Sequence, residues 1–279
     1  DDERRRKTFR KSACRVKARG VSRRAMTGTA SNALTVILAE PTFAVAIDGP
    51  AGAGKSVLGA ALATAIGATY IDSGIAYRAV TWDALQAGID LDDDAILAPR
   101  AAALPLTIDT PRHDDGRQFT VTLAGQDVTW ELRSPTVDAT VSRPSALPGV
   151  RTAVTNLLRR LAASGRVVMV GRDIGTVVLP HANLKLWVTA TSTTRATRRV
   201  AELRARGIDA DLAAIRASIV ERDTRDSTRA AAPSHAAPDA VVIETDATTV
   251  QDEVATAISA LVVRLGASRT TASPAGETR

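Results

Sequence analysis

Residues 49–56 constrain the fold of this chain more than any other segment. Their sequence, Gly49-Pro50-Ala51-Gly52-Ala53-Gly54-Lys55-Ser56, fits the phosphate-loop pattern G-x-x-x-x-G-K-[ST]. An apolar run at 43–47 precedes it and an alanine-rich stretch at 57–66 follows it. This strand, loop and helix order is the context that the pattern needs, because the glycines curl backbone N–H groups around phosphate oxygens and the helix N-terminus favours negative charge. The chain is therefore predicted to bind a nucleoside triphosphate.

The residue types at the end of this loop predict how the nucleotide is held. Lys55 can reach the terminal phosphates, and Ser56 can ligate a magnesium ion. Outside residues 1–24 the only lysines are Lys55 and Lys185, so general composition does not explain a lysine at this position. The expected nucleotide-binding residues are Gly49, Pro50, Ala51, Gly52, Ala53, Gly54, Lys55, Ser56 and Val57, with Ser56 as the metal ligand.

The basic charge belongs to the start of the chain. The chain carries a net +6, but residues 1–24 hold eleven Lys and Arg against three acids, so the rest of the chain carries −2. A field that attracts nucleic acid to the folded body is not expected. We expect residues 1–41 to be a basic tail, disordered or lying upstream of a true start at Met26; a transit peptide is the alternative. The single cysteine, Cys14, and the absence of a long apolar run predict a cytoplasmic protein with no membrane contact.

Short apolar runs alternate with helical patterns, which predicts an α/β fold with a parallel sheet and crossover helices. The expected strands are 43–47, 68–71, 166–170, 184–190 and 240–244, and the expected helices are 55–66, 75–87, 148–163, 192–206, 211–225 and 249–265. Glycines are placed to end these elements at Gly67, Gly88, Gly165, Gly207 and Gly266.

A different pattern occupies residues 105–133. Leu106–Ile108, Phe119–Leu123 and Val128–Leu132 alternate apolar and polar residues and are separated by turn residues. This pattern predicts a small antiparallel sheet inserted into the α/β body. Residues 266–279 are rich in Ser, Thr, Pro and Gly and are expected to be disordered.

Three further segments carry candidate binding residues. Ile71-Asp72-Ser73-Gly74-Ile75-Ala76-Tyr77-Arg78 and Gly171-Arg172-Asp173-Ile174-Gly175-Thr176 each follow a predicted strand, and open parallel sheets bind ligands at that edge. The third segment, 221–229, places Arg222, Arg225 and Arg229 on one helix face beside Asp226. Taken singly, each has a simpler interpretation, namely a helix cap with an exposed arginine, a surface turn with an ion pair, and a solvated charged face.

Taken together, the four segments IDGPxGxGKS, IDSGxxYR, GRDxGTVV and ERDxRDxxR at these separations resemble the bacterial cytidylate kinases. The resemblance extends from residue 42 to residue 264. It implies a P-loop kinase with an adenylate-kinase-like, five-stranded core over 42–265, a monophosphate-binding insert near 92–147 and a helical lid near 198–229. It also implies transfer of a phosphoryl group from ATP, with Mg²⁺, to CMP or dCMP, by a protein that is often a monomer.

The resemblance also implies roles for individual residues. Lys55, Arg78, Arg172 and Arg199 are the expected catalytic cations. Contacts to the acceptor nucleotide are expected from Ser73, Tyr77, Arg78, Ser142, Arg151, Arg172, Asp173, Arg222, Asp226 and Arg229, with Asp173 and Arg229 on the cytosine. The chain departs from the family at Val170, where the family usually has an acid.

Three other functions stay open at the level of sequence. The nearest is a kinase for another monophosphate, UMP or AMP, on the same scaffold. A GTP-driven switch would need the base-reading pattern Asn-Lys-x-Asp, and no asparagine of the chain is followed by lysine. A nucleic-acid-associated P-loop protein would depend on the basic residues 1–24.

Overall fold

The structure is a computed structural model that describes residues 35–271 except 110, 116, 164, 206–207 and 229–232; the side chains of 267–271 are not described. The expectations for the basic tail before residue 35, for Gly207 and for Arg229 therefore lie outside the described residues. A short helix spans residues 35–39, and Ile37 within it is fully buried in the core.

A five-stranded parallel sheet forms the centre of the molecule and confirms the predicted α/β fold. Its strands are β1 (Phe43–Asp48), β2 (Thr69–Asp72), β6 (Arg166–Val170), β7 (Leu184–Thr189) and β8 (Val241–Glu244). The order in the sheet is β2-β6-β1-β7-β8. Val170 pairs with both Ile47 and Asp72, so the segments that follow β1, β2 and β6 start at the same edge.

Eight longer helices surround the sheet or extend from it in the described part of the chain. They are α1 (Lys55–Ile66), α2 (Ser73–Gln86), α3 (Asp94–Ala102), α4 (Pro135–Thr140), α5 (Pro148–Ala162), α6 (Ser192–Ala205), α7 (Leu212–Thr228) and α8 (Val250–Thr271). Helix α1 packs against β6 and α8, and α6 packs against α7. None of the helices in the described ranges is long and apolar enough to cross a membrane.

The inserted sheet is antiparallel, as predicted, with strands β3 (Leu106–Asp109), β4 (Thr120–Leu123) and β5 (Gln126–Asp127). A buried guanidinium supports it from one side, because Arg117 pairs with both Asp115 and Asp127. The Trp130 indole donates to the same Asp115 carboxylate at 2.9 Å. These ion pairs and this hydrogen bond therefore stabilise the insert through its own residues.

Two sequence expectations inside these elements are wrong. The third strand was expected at Val128–Leu132, but Leu132 N donates to Val128 O at 3.1 Å and a 3₁₀ turn follows. Apolar residues four positions apart fit one turn of a helix as well as the alternation of a strand, so the pattern did not distinguish the two. Gly266 was expected to end the last helix, but α8 continues to Thr271, and nothing in the described structure forces a left-handed conformation on it. The sequence analysis also missed α3 and α4.

The cap prediction is correct at the end of α1. Gly67 adopts a left-handed conformation with φ 61°, and its N–H donates to Ala63 O. The chain then turns directly into β2, which places the start of α2 beside the phosphate loop.

Candidate active site

The phosphate loop joins β1 to α1 and depends on glycine at its first position. Gly49 has φ 146°, and a Cβ there would lie 1.9 Å from Val188 O on the neighbouring strand. Gly54 has φ 94° and occupies the N-cap of α1. Side chains at these positions would force the loop away from β7 or strain its backbone.

The loop carbonyls are bonded from outside the loop. Arg195 Nη1 donates to Ala51 O at 3.1 Å, and Thr245 Oγ1 donates to Ala53 O at 3.0 Å. Because the C=O and N–H of a peptide point in opposite directions, the N–H groups of Gly52 and Gly54 face away from these donors. This arrangement is suited to binding an anion.

Lys55 lies at the first position of α1, and its ammonium is held within the curve of the loop. Nζ donates to Gly49 O and Pro50 O, each at 2.7 Å. Burial, together with the charge of the nearby Arg172 guanidinium, lowers the pKa of Lys55 to about 7 against the opposing effect of Asp72. A phosphate would relieve this crowding of positive charge.

The next residue, Ser56, suits a magnesium ion. Its side chain is exposed in the first turn of α1, beside the buried hydroxyl of Tyr70. The described residues contain no group of three or more His, Cys, Asp or Glu that could hold a metal. Mg²⁺ is usually held by one or two protein oxygens together with water and phosphate oxygens, so this sparse donor set fits it.

The turn after β6 brings the second recognition segment to the loop. Arg172 Nη1 lies 3.5 Å from Gly49 O and 3.1 Å from Asp226 Oδ2 of helix α7. The same turn approaches α2, because a Cβ on Gly171 would lie 2.6 Å from Ser73 Oγ. The structure thus brings all four predicted segments together. They are the phosphate loop, the start of α2, the turn after β6 and the end of α7.

Asp173 is buried beside the first turn of α5. Its Oδ2 accepts from Arg151 Nη2 at 2.6 Å, and Arg151 also donates to Ser145 O at 3.1 Å. The Arg151 guanidinium lies over the Tyr77 ring, 5.7 Å from its centroid. Tyr77, Arg151 and Asp173 therefore form one cluster, as their shared assignment to the acceptor nucleotide requires.

Arg78 contacts the insert. Its Nη1 donates to Leu132 O at 3.1 Å and forms an ion pair with Asp138 of α4. Asp138 was not among the expected site residues, and an exposed aspartate gives no sequence signal for such a contact.

The remaining predicted residues lie at the margins of this cluster. Ser142 is exposed, with its carbonyl bonded by Ser145 Oγ, and Val57 is half exposed in α1. Arg222 is exposed on α7, 4.0 Å from Asp226, and its charge reaches Lys55.

The expected lid arginine, Arg199, points to a different neighbour. Its guanidinium pairs with Glu202 one turn along α6 at 2.7 Å. Arg195, four residues earlier on α6, contacts Ala51, and Arg198 contacts Thr245. Sequence spacing could have found them, because residues three apart share a helix face.

Comparison with known proteins places the chain in a family. The family model for cytidylate kinase matches residues 45–263. A cytidylate kinase of Chloroflexus aggregans (strain MD-66 / DSM 9485) is 47% identical over 78% of this chain and 93% of its own length. One from Mycobacterium avium (strain 104) is 46% identical over 72% of this chain and 87% of its own length.

A solved gluconokinase structure from Sinorhizobium meliloti 1021 shares 15% identity and a TM-score of 0.41, over 84% of this chain and 98% of that one, a likeness too low to support any argument. The family match and the two close relatives suffice: the chain belongs to the cytidylate kinase family.

Proposed function

We propose that this protein transfers the γ-phosphoryl group of ATP to CMP or dCMP, giving ADP and CDP or dCDP. The observation that carries the proposal is a convergence on one backbone oxygen, Gly49 O. Lys55 of the phosphate loop reaches it at 2.7 Å, and Arg172 of the second segment reaches it at 3.5 Å. Cations from the phosphate loop and from the turn after β6 therefore meet at one point. Two anionic nucleotides can approach each other there.

The chemistry needs no side-chain base. A nucleoside monophosphate has a second pKa near 6, so at pH 7 its phosphate is mostly a dianion and already a nucleophile. A phosphate oxygen of the acceptor bonds to the γ-phosphorus while the bond from that phosphorus to the bridging oxygen of ADP breaks. Because the transferring group is anionic throughout, the protein acts mainly by positioning and by cationic stabilisation.

Lys55 supplies charge on the donor side. With its pKa near 7, the ammonium is only partly protonated at neutral pH. A bound triphosphate places negative charge against it, which favours the protonated form. When bound beside Ser56, Mg²⁺ would neutralise charge on the β- and γ-phosphates.

The acceptor base is selected by hydrogen bonds from the cluster beside β6. Cytosine offers an exocyclic amino donor together with ring acceptors. The Asp173 carboxylate is an acceptor for the amino group, and Arg151 fixes its orientation through their 2.6 Å bond. Uracil presents an oxygen at the amino position and would meet a carboxylate with no donor between them.

Helices α6 and α7 are proposed to close over the phosphates. Arg195 already bonds the phosphate loop through Ala51 and bonds α7 through Asp223, at 2.6 Å. Movement of α7 is therefore coupled to the loop. Closure would exclude water, which otherwise competes with the monophosphate as acceptor.

A coupled ADP-release assay with CMP, dCMP, UMP, AMP and GMP tests the proposal. We expect CMP or dCMP to give the highest kcat/KM. Preference for UMP or AMP would replace the proposed substrate but retain the kinase assignment. ADP release that does not depend on any monophosphate would overturn it.

A further inference from the structure

The mechanism above gives no role to Asp48, the last residue of β1. Its side chain is buried directly behind the phosphate loop, 4% exposed. Oδ1 accepts from Ile174 N at 2.8 Å, and Oδ2 accepts from Gly175 N at 2.7 Å. Both carboxylate oxygens are thus used by two successive backbone N–H groups of another segment.

Those two N–H groups lie at the start of the helical turn Ile174–Val178. The first N–H groups of a helical turn have no partner inside it, so Asp48 caps this turn from the neighbouring strand. The turn follows Arg172 and Asp173 directly. One residue before them, Gly171 N donates to Ile47 O at 2.9 Å. Arg172 and Asp173 are therefore held between two attachments to the end of β1.

Glycine at position 175 leaves room for the carboxylate beside the turn. A Cβ on Gly175 would lie 3.2 Å from the Lys185 side chain and 3.4 Å from Asp48 Oδ2. A larger residue would have to displace the turn from β7 or from the carboxylate. The sequence supplies both halves of the contact, an aspartate before the phosphate loop and a glycine two residues after Asp173.

Keeping this carboxylate has an electrostatic cost. Burial, with a smaller contribution from the charge of Asp173, raises the pKa of Asp48 to about 6, although the two N–H donors and Lys55 act in the opposite direction. A buried acid is disfavoured unless its hydrogen bonds compensate. Here the compensating donors all belong to the segments that bind the two substrates.

We propose that Asp48 is a positioning residue that fixes the Arg172–Asp173 turn against the phosphate loop and so aligns the acceptor nucleotide with ATP. This inference rests on the proposed function, because it assigns the acceptor nucleotide to that turn. Both oxygens of the Asp48 carboxylate are already used by the N–H groups of Ile174 and Gly175. Asp48 acts through the backbone of residues 174–175, and its effect should therefore appear in acceptor binding.

The variant Asp48→Asn keeps the shape of the side chain and tests this directly. One amide oxygen still accepts, but the amide nitrogen now faces a backbone N–H and that hydrogen bond is lost. Since a hydrogen bond to a charged group is worth ~1.5–3 kcal/mol, we expect KM and Kd for CMP to rise about tenfold or more. KM for ATP and kcat at saturating CMP should change less than ~3-fold. Asp252→Asn is the matched control, because Asp252 accepts from Thr249 N at 3.3 Å at the start of α8, outside the insert and the lid.

A double-mutant cycle with Asp173→Ala distinguishes positioning from a general structural role. If Asp48 acts through the turn, Asp48→Asn should add less than ~3-fold to KM for CMP when Asp173 is already absent, because coupled sites are not additive. A full additional tenfold rise would overturn the proposal. So would equal rises in KM for ATP and CMP, which would mean that Asp48 acts on the phosphate loop and Lys55.

The result stays interpretable if Asp48→Asn folds poorly. Gly175→Ala displaces the turn without removing the charge, and we expect a smaller rise in KM for CMP with KM for ATP unchanged. A lower melting temperature with unchanged KM for CMP in both variants would reject the positioning role. Wild-type turnover tests the proposed function separately; if another monophosphate is preferred, the same variant-to-wild-type ratios are measured with that acceptor.

Discussion

Arg151 Nη2 lies 2.6 Å from Asp173 Oδ2, and both residues are buried. Asp173 follows β6, whereas Arg151 lies in the first turn of α5, so two separate elements contribute to one buried ion pair. Breaking such a pair by removing one partner is costly, ~3–5 kcal/mol, because the other charge is left uncompensated. The pair therefore links the stability of this region to the proposed reading of the base.

Asp173→Asn should weaken acceptor binding. We expect KM for CMP to rise about tenfold or more, as when a charged hydrogen bond is lost, while KM for ATP changes little, and the melting temperature should fall because Arg151 loses its partner. Steady-state kinetics and thermal melts measure both effects. Asp252→Asn, which removes an exposed partner of Thr249 at the start of α8, should change neither KM. Equal rises in both KM values for Asp173→Asn would argue against base recognition.

Lys55→Ala should remove most of the activity and leave the fold intact. The side chain packs on loop carbonyls and not in the apolar core, so the melting temperature should change little. Loss of one group that stabilises charge in the transition state is expected to lower kcat by about 10²–10³. Lys185→Ala, at the only other lysine after residue 24, should have a far smaller effect. Comparable losses in the two variants would contradict the assignment.

The lowered pKa of Lys55, about 7, predicts proton uptake when ATP binds. Because the pKa is below its ordinary value, the folded protein is partly deprotonated at this site near pH 7.5, and bound phosphates favour reprotonation. Calorimetry in buffers of different ionisation enthalpy should detect this uptake, and ATP affinity should fall as pH rises through 7. Lys55→Arg stays protonated at these pH values and should lose the Lys55-dependent part of both effects. Identical proton uptake in wild type and variant would refute this.

The same pKa shift predicts how the free energy of unfolding changes with pH. Between about pH 7 and the ordinary value of 10.5, the unfolded chain carries a proton on Lys55 that the folded protein has lost. Stability rises with pH wherever the unfolded state binds more protons. The contribution of Lys55 to the free energy of unfolding should therefore increase across this window, and Lys55→Met should remove that increase.

Two glycine-to-alanine changes should have opposite effects on stability. A Cβ on Gly59 would lie 2.6 Å from Val170 Cγ1 and 2.9 Å from Tyr70 Cε2, so Gly59→Ala overpacks the core and should cost ~1–3 kcal/mol. Nothing lies within 4 Å of a Cβ on Gly266, inside α8, and Gly266→Ala should gain ~0.5–1 kcal/mol from helix propensity. Denaturant titrations measure both. Adding Val170→Ala should relieve part of the Gly59→Ala effect.

Arg195 and Arg199 should differ when each is replaced by alanine. Arg195 is 5% exposed and bonds Ala51 and Asp223, so Arg195→Ala should raise KM for ATP and lower stability. Arg199 pairs with Glu202 at the surface, and exposed pairs contribute ~0.2–1 kcal/mol, so Arg199→Ala should leave stability nearly unchanged. A larger rise in KM for ATP in Arg199→Ala would restore Arg199 as the principal lid cation.

The structural features that depend only on residues close together in the chain could be predicted from the sequence. The phosphate loop, the strand before it and the helix after it were all predicted, because backbone geometry there is set by glycines at fixed spacing. Gly67 ended α1 as expected. The error at Val128–Leu132 arose where one apolar pattern suits both a strand and a turn. Helices α3 and α4, with 9 and 6 residues, are too short for a helical periodicity to be recognised.

The sequence by itself determined which residues could bind phosphate and that they follow parallel strands. Only the tertiary structure decided which of them meet: that Arg172 shares the Gly49 carbonyl with Lys55, that Arg151 pairs with Asp173, and that Asp48 caps the turn at Ile174. These contacts join residues far apart in the chain, and their existence depends on strand order. Strand order follows from the packing of the whole sheet, which no local pattern of residues encodes.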